Sequence, residues 1–109
     1  MVFLYQRKGV PEEFKTPKLY EILDKIADDP DVVEPPVKRF DYYYANEMSN
    51  TIEPSHAEYV FVPSKVLEYL NDEYTREYIG DENYDFIYKF MKFIIDDYGD
   101  AEFIIQVGF

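Results

Sequence analysis

A chain of 109 residues, 47% hydrophobic and 19% aromatic, is long enough to bury a core as one domain, which excludes a disordered chain despite its charge. It contains no cysteine, so a disulfide scaffold, a thiolate zinc site and a cysteine nucleophile are excluded as well. Its net charge of −12, from 23 acids and 11 bases, opposes binding to nucleic acid or anionic membrane and favours basic proteins or cations.

Val2 to Gln6 is a short β-branched and aromatic run, hence a first strand. The apolar stretch at the start is too short for the core of a secretory signal, and its basic residues follow it rather than precede it. No segment reaches about 18 uninterrupted apolar residues. The expected location is therefore the cytoplasm (the host cytoplasm, if the chain is viral).

Arg7 to Lys15 contains Gly9 and Pro11 and reads as a loop. Thr16-Pro17 then opens a helix, with Thr16 as cap and Pro17 at the first helical position. Leu19, Ile22, Leu23 and Ile26 line one side of it, and Asp28-Asp29-Pro30 ends it. Asp31 to Val37 is extended around Pro35-Pro36. Lys38 to Ala45 alternates Phe40, Tyr42 and Tyr44 against Arg39, Asp41 and Tyr43, a second strand. Asn46 to Ala57 has no period and contains Pro54, so it reads as a long loop, and Glu58 to Val62 as a third strand.

Ser64 is placed as the cap of one helix running to Ile79. Its inner face is Val66, Leu67, Leu70, Tyr74 and Tyr78. Its outer face is Glu68, Asp72, Glu73, Arg76 and Glu77. Gly80 separates it from a helix centred on residues 84–98, whose apolar arc exceeds half the circumference and therefore demands more than one neighbour. After Gly99, Glu102 to Phe109 alternates as a last strand.

The order β-α-β-β-α-α-β resembles the ferredoxin-like split βαβ plan, an α+β fold, with residues 1–109 as a single domain. That plan implies a four-stranded, largely antiparallel sheet with helices on one face and strands one and three at its centre. On the uncovered face the expected residues are Val2, Leu4, Tyr43, Val60, Val62 and Ile104, an apolar patch suited to a homodimer.

Catalytic machinery is not visible. His56 is the only histidine and has no base–orienter pair around Ser55 or Ser64. The four glycines form no phosphate-cradling loop, so no cofactor is expected. Tyr59-Val60-Phe61-Val62 lacks the basic residue and glycine of an RNA-recognition strand. The clusters Asp28/Asp29/Asp31 and Asp96/Asp97/Asp100/Glu102 do not have calcium-loop spacing, and no metal is expected. Both clusters nevertheless place acids at helix C-termini, where the helix dipole disfavours them.

The acids are also unevenly distributed. Residues 1–39 hold eight acids and seven bases, whereas residues 40–109 hold fifteen acids and four bases. Tyrosines interleave with them, among them Tyr43, Tyr69 and Tyr88, and tyrosine beside carboxylate suits a surface that grips Arg and Lys. The expected function is a small acidic, non-enzymatic protein that blocks a basic, nucleic-acid-binding surface of a partner. The contacting residues expected are Glu68, Asp72, Glu73, Glu77, Asp96, Asp97 and Asp100. In charge and size the chain resembles small virus-encoded inhibitors of host defence nucleases, anti-restriction and anti-CRISPR proteins among them, a resemblance that transfers no residues. Two alternatives stand beside it: an immunity protein or antitoxin against a basic toxin, and a scaffold subunit dimerising through its apolar sheet face.

Overall fold

The computed structural model describes residues 2–3 and 11–108. β1 is Val2–Phe3, followed by a single 3₁₀ turn at Glu12–Phe14 and then α1, Pro17–Ala27. A hairpin of β2, Val37–Asn46, and β3, Thr51–Phe61, comes next. Three helices follow in close succession, α2 at Pro63–Leu70, α3 at Glu73–Ile79 and α4 at Asp81–Tyr98, before β4 at Phe103–Gly108.

The sheet overturns the four-stranded ferredoxin-like expectation. Its body is three antiparallel strands in the order β4-β3-β2, and β1 adds only a two-residue pairing along β4. The ferredoxin-like plan needs the first strand between the third and the fourth. Here β3 and β4 pair directly, from His56 opposite Gly108 to Phe61 opposite Phe103, so that slot does not exist. Because β3 and β4 are antiparallel, the three helices between them are not a parallel crossover, and the handedness rule that suggested the plan does not apply. The α+β class stands.

All four helices cover one face. Tyr59 and Phe61 of β3 and Phe103, Ile105 and Val107 of β4 point into the core, where α1 contributes Leu19, Tyr20, Ile22, Leu23 and Ile26. α4 brings Ile87, Phe90, Met91 and Ile94, buried by their neighbours on α1, α2 and α3 as its wide apolar arc requires. Phe14, inside what reads in sequence as a loop, is buried with its ring 5.2–5.7 Å from those of Phe86, Phe90 and Phe93. At roughly 25 cal/mol per Å² of apolar surface, such a side chain contributes about 1.5–3 kcal/mol to closing the helical layer.

The expected single helix from Ser64 to Ile79 is two. Asn71 ends α2, and Asp72 turns back to extended geometry and accepts the Tyr74 N–H at 3.1 Å as the cap of α3. Ser64 lies inside α2 rather than at its cap, which is Val62, with Pro63 at the first helical position. Thr16 does take the cap position of α1, in extended conformation, without a capping hydrogen bond from its side chain.

The segment 46–57, expected as a long loop, is mostly strand. Only residues 47–50 turn. Asn46 Oδ1 accepts the N–H groups of Met48 and Ser49 at 3.2 and 3.4 Å, and Asn50 takes a φ of 56°, which Asn tolerates better than most residues. Pro54 masks the pattern in sequence. It sits beyond the end of β4, where β3 has a single neighbour and a missing N–H is tolerated. A bulge at Ser55 adjusts the register, with Tyr42 opposite His56 and Tyr43 opposite Pro54. The hairpin thus continues as a two-stranded ribbon about 15 Å past the three-stranded body. It accounts for a radius of gyration of 15.0 Å and extents of 49 × 34 × 24 Å, against about 13 Å for a compact chain of this length.

Candidate functional site: the open face of the hairpin

Register decides which side chains face away from the helices. Val37 is buried opposite Phe61, so counting by two along β2 puts Arg39, Asp41 and Tyr43 on the helix side. Phe40, Tyr42 and Tyr44 consequently face outward, 46%, 42% and 51% exposed. This corrects the placement of Tyr43 on the outer face. Charged residues can occupy the inner parity because α1 receives them. Arg39 reaches Asp24 at 2.6 Å and Asp41 at 2.9 Å, and the Tyr59 hydroxyl donates to the same Asp24 oxygen at 2.7 Å.

Val60 and Ile104 do pair on the outer face, as expected. Val62 has left the sheet to cap α2 and lines an open groove of about 560 Å³ with Pro35, Pro36, Lys38, Lys65 and Glu102. Leu4 lies outside the described residues, and Val2 is described by its backbone pairing alone. The apolar dimer patch is therefore reduced to Val60 and Ile104, and the rest of that face is aromatic and polar.

Its chemistry is a row of tyrosine–carboxylate pairs. The Tyr42 hydroxyl donates to Glu58 Oε2 at 3.2 Å, and that of Tyr44 to Glu53 Oε2 at 2.6 Å. Glu58 also accepts from Gln106 Nε2 at 2.7 Å and lies 3.9 Å from His56 Nε2. The His56 ring stacks on Tyr42, centroids 4.4 Å apart and planes within 9°. These carboxylates hold the Tyr42 and Tyr44 protons, raising both phenols above their ordinary value. The result is an exposed aromatic strip with two carboxylates hydrogen-bonded along it.

The same pair chemistry occurs where α1 meets α2 and α3, in a cluster whose buried member is Asp29 and whose outer members, Asp31 and Tyr74, are exposed. Asp29, 3% exposed, accepts the Tyr69 hydroxyl at 2.6 Å and the Asp31 N–H at 3.0 Å. Tyr74 donates to Asp31, and its ring stacks on Tyr78. Tyr78 gives its hydroxyl to the Lys25 carbonyl, while Lys25 Nζ donates to the Tyr78 carbonyl and sits over its ring. Burial first, then the Asp29 bond, push the Tyr69 phenol well up, and the Asp31 bond pushes Tyr74 up to about 12. The acids after α1 thus tie α1 to α2 and α3, which offsets their unfavourable position at a helix end.

The seven expected partner-binding acids do not form one surface. Asp72 caps α3. Glu73 and Glu77 line a shallow depression with Arg76, Gly80 and Asp81. Glu68 lies on the separate helix α2, at the open groove. Asp96 and Asp97 lie exposed in the last turn of α4, about 24 Å along its axis from Asp81. Asp100 accepts the Ser64 N–H at 2.9 Å and so caps α2 from outside the helix; the Ser64 hydroxyl first, then this N–H, hold its carboxyl below the ordinary value. Of the tyrosines singled out in sequence, Tyr43 is exposed on the ribbon, Tyr69 belongs to the cluster around Asp29, and Tyr88 stacks on Tyr84 at the surface.

Missed altogether were Phe40, Tyr42, Tyr44, Glu53 and Glu58 as a single surface. The signal was present: Val37 is the one apolar residue in β2 able to join the core at the sheet end, and it fixes the parity of every later residue. No family model, curated protein or solved structure matches this chain. Among the described residues, no helix is long and apolar enough to cross a membrane.

Proposed function

We propose that this is a small acidic binding protein that masks a basic surface of a partner protein, and that the open face of the β2–β3 hairpin makes the contact. One observation carries the reading: Phe40, Tyr42 and Tyr44 are exposed in a row with the carboxylates of Glu53 and Glu58 fixed beside the phenols. Arg and Lys side chains stack on such rings through cation–π attraction and donate to the adjacent carboxylates. The long-range field of a −12 chain steers a basic partner toward it. A partner surface that normally holds nucleic acid presents the matching donors.

Charge alone would let a basic peptide settle anywhere, so the test compares two sites. Glu47→Lys/Glu53→Lys alters the ribbon, and Glu73→Lys/Glu77→Lys makes the same net charge change on α3. Binding of a labelled oligoarginine peptide is followed by fluorescence anisotropy as salt rises from about 0.05 to about 0.5 M. The ribbon variant is expected to lose about tenfold in affinity or more, the α3 variant far less, and all binding to weaken with salt. Equal losses, or a larger loss for the α3 variant, would move the contact away from the hairpin.

A further inference from the structure

We propose that the free edge of β2 is a self-association surface, on which a second copy of this chain adds its own β2 antiparallel about a two-fold axis through Phe40. The edge is long and open. β2 pairs with β3 over its whole length, Val37 to Asn46, and nothing among the described residues pairs with its other side. From Lys38 to Ala45 every residue is exposed. Edge strands that stay unpaired are normally short, bulged, broken by proline or covered. β2 has none of these, since the bulge and Pro54 both lie on β3. Its guard is charge, Lys38 with the inward Arg39 and Asp41, which only a register that sets opposite charges together would overcome.

Charge selects the occupant. Among the described elements β2 alone carries more bases than acids, Lys38 and Arg39 against Asp41. A second copy, repelled by most of this surface, meets least opposition here. Parity then restricts the register. A two-fold axis normal to the sheet sets residues of the same face opposite each other, so it must pass through one residue and its copy. An axis through Lys38, Arg39 or Asp41 puts identical charges face to face, which is destabilising. With the axis through Phe40, each Arg39 lies opposite Asp41 of the second copy and each Lys38 opposite Tyr42 of the second copy. Two opposite-charge pairs and two cation–aromatic pairs form, and Phe40 meets its own copy. The axis also falls where β3 and β4 back the strand, so the joined sheet is continuous behind the junction.

The dimer would place two aromatic strips side by side on one sheet face and double the surface offered to a partner. It is independent of that reading, because the Glu47 and Glu53 reversals lie away from the axis and peptide affinity is scored separately from mass.

The chain lacks cysteine, so single thiols report the register directly. Phe40→Cys, Tyr42→Cys and Tyr44→Cys are all exposed outer-face changes that leave the core intact. Opposite residues have Cβ atoms about 5 Å apart. The axis leaves position 42 about 14 Å, and position 44 about 27 Å, from its own copy. A short bifunctional thiol reagent should link the Phe40→Cys protein into dimers and leave the Tyr44→Cys protein unlinked. In sedimentation velocity the unmodified chain should approach twice its monomer mass as concentration rises. Phe40→Lys should raise the dissociation constant about tenfold or more, with circular dichroism unchanged. A chain that stays monomeric at every concentration overturns the proposal, as does linking at position 42 or 44 as readily as at 40.

Discussion

The Asp29–Tyr69 pair joining α1 to α2 and the outer face of the hairpin use the same bond, a tyrosine hydroxyl donated to a carboxylate, in different surroundings. At this junction Asp29 is closed off from water, and each of its oxygens accepts one hydrogen bond, from the Tyr69 hydroxyl and from the Asp31 N–H. On the hairpin Tyr42 and Tyr44 are 42% and 51% exposed. The pair of Tyr44 with Glu53 is the more open, while Tyr42 carries His56 on one face and its partner Glu58 also accepts from Gln106. Buried, the pair is a structural tie, because an unmet partner there loses its full hydration. Exposed, it adds little stability and leaves a preorganised surface. Composition shows only that tyrosine and acid are both abundant; burial separates the two uses.

The largest expected effect lies in the interior. Asp29→Ala removes the acceptor of the half-buried Tyr69 phenol and of the Asp31 N–H, and should cost about 1–2 kcal/mol, read as a lower denaturant midpoint at unchanged slope. Tyr44→Phe on the hairpin should change stability by less than about 0.5 kcal/mol in the same assay. Similar losses for the two would erase the distinction between the regions.

A smaller effect should appear in alkali. Burial raises the folded phenols of Tyr59 and Tyr69, with further help from Asp24 and Asp29, and burial alone raises Tyr20 to about 12. Below the ordinary tyrosine value of about 10 both folded and unfolded chains keep these protons, so the contribution is complete. Above it the unfolded chain releases protons that the folded chain retains. Stability should therefore fall as pH rises from about 10 upward, and Tyr69→Phe should make that fall shallower. A slope unchanged by Tyr69→Phe would place that phenol in water.

Much of this division was legible in the chain, and what was hidden has identifiable causes. The helical faces of α1 and α4 followed from spacing, since Leu19, Ile22, Leu23 and Ile26, and Ile87, Met91 and Ile94, all reach the core. The break between α2 and α3 was hidden because Asp72 fits an outer helical face as well as it fits a cap. Pro54 disguised half of β3, and its tolerance depends on where β4 ends, which no local pattern records. The outer face was hardest to read. Three aromatics in β2 look like core residues, and Arg39 with Asp41 looks solvent-facing, until Asp24 on α1 supplies the partner that draws them inward. Long-range pairing, rather than alternation, sets which face of an edge strand is buried.

The most direct measurement of the central claim is a tyrosine- and histidine-resolved NMR titration with an arginine-rich peptide. If the hairpin face is the working surface, ring signals of Tyr42, Tyr44 and His56 shift together and saturate, while those of Tyr59 and Tyr69 stay in place. Shifts confined to Tyr74, Tyr84 or Tyr88, with the three hairpin rings unmoved, would contradict it.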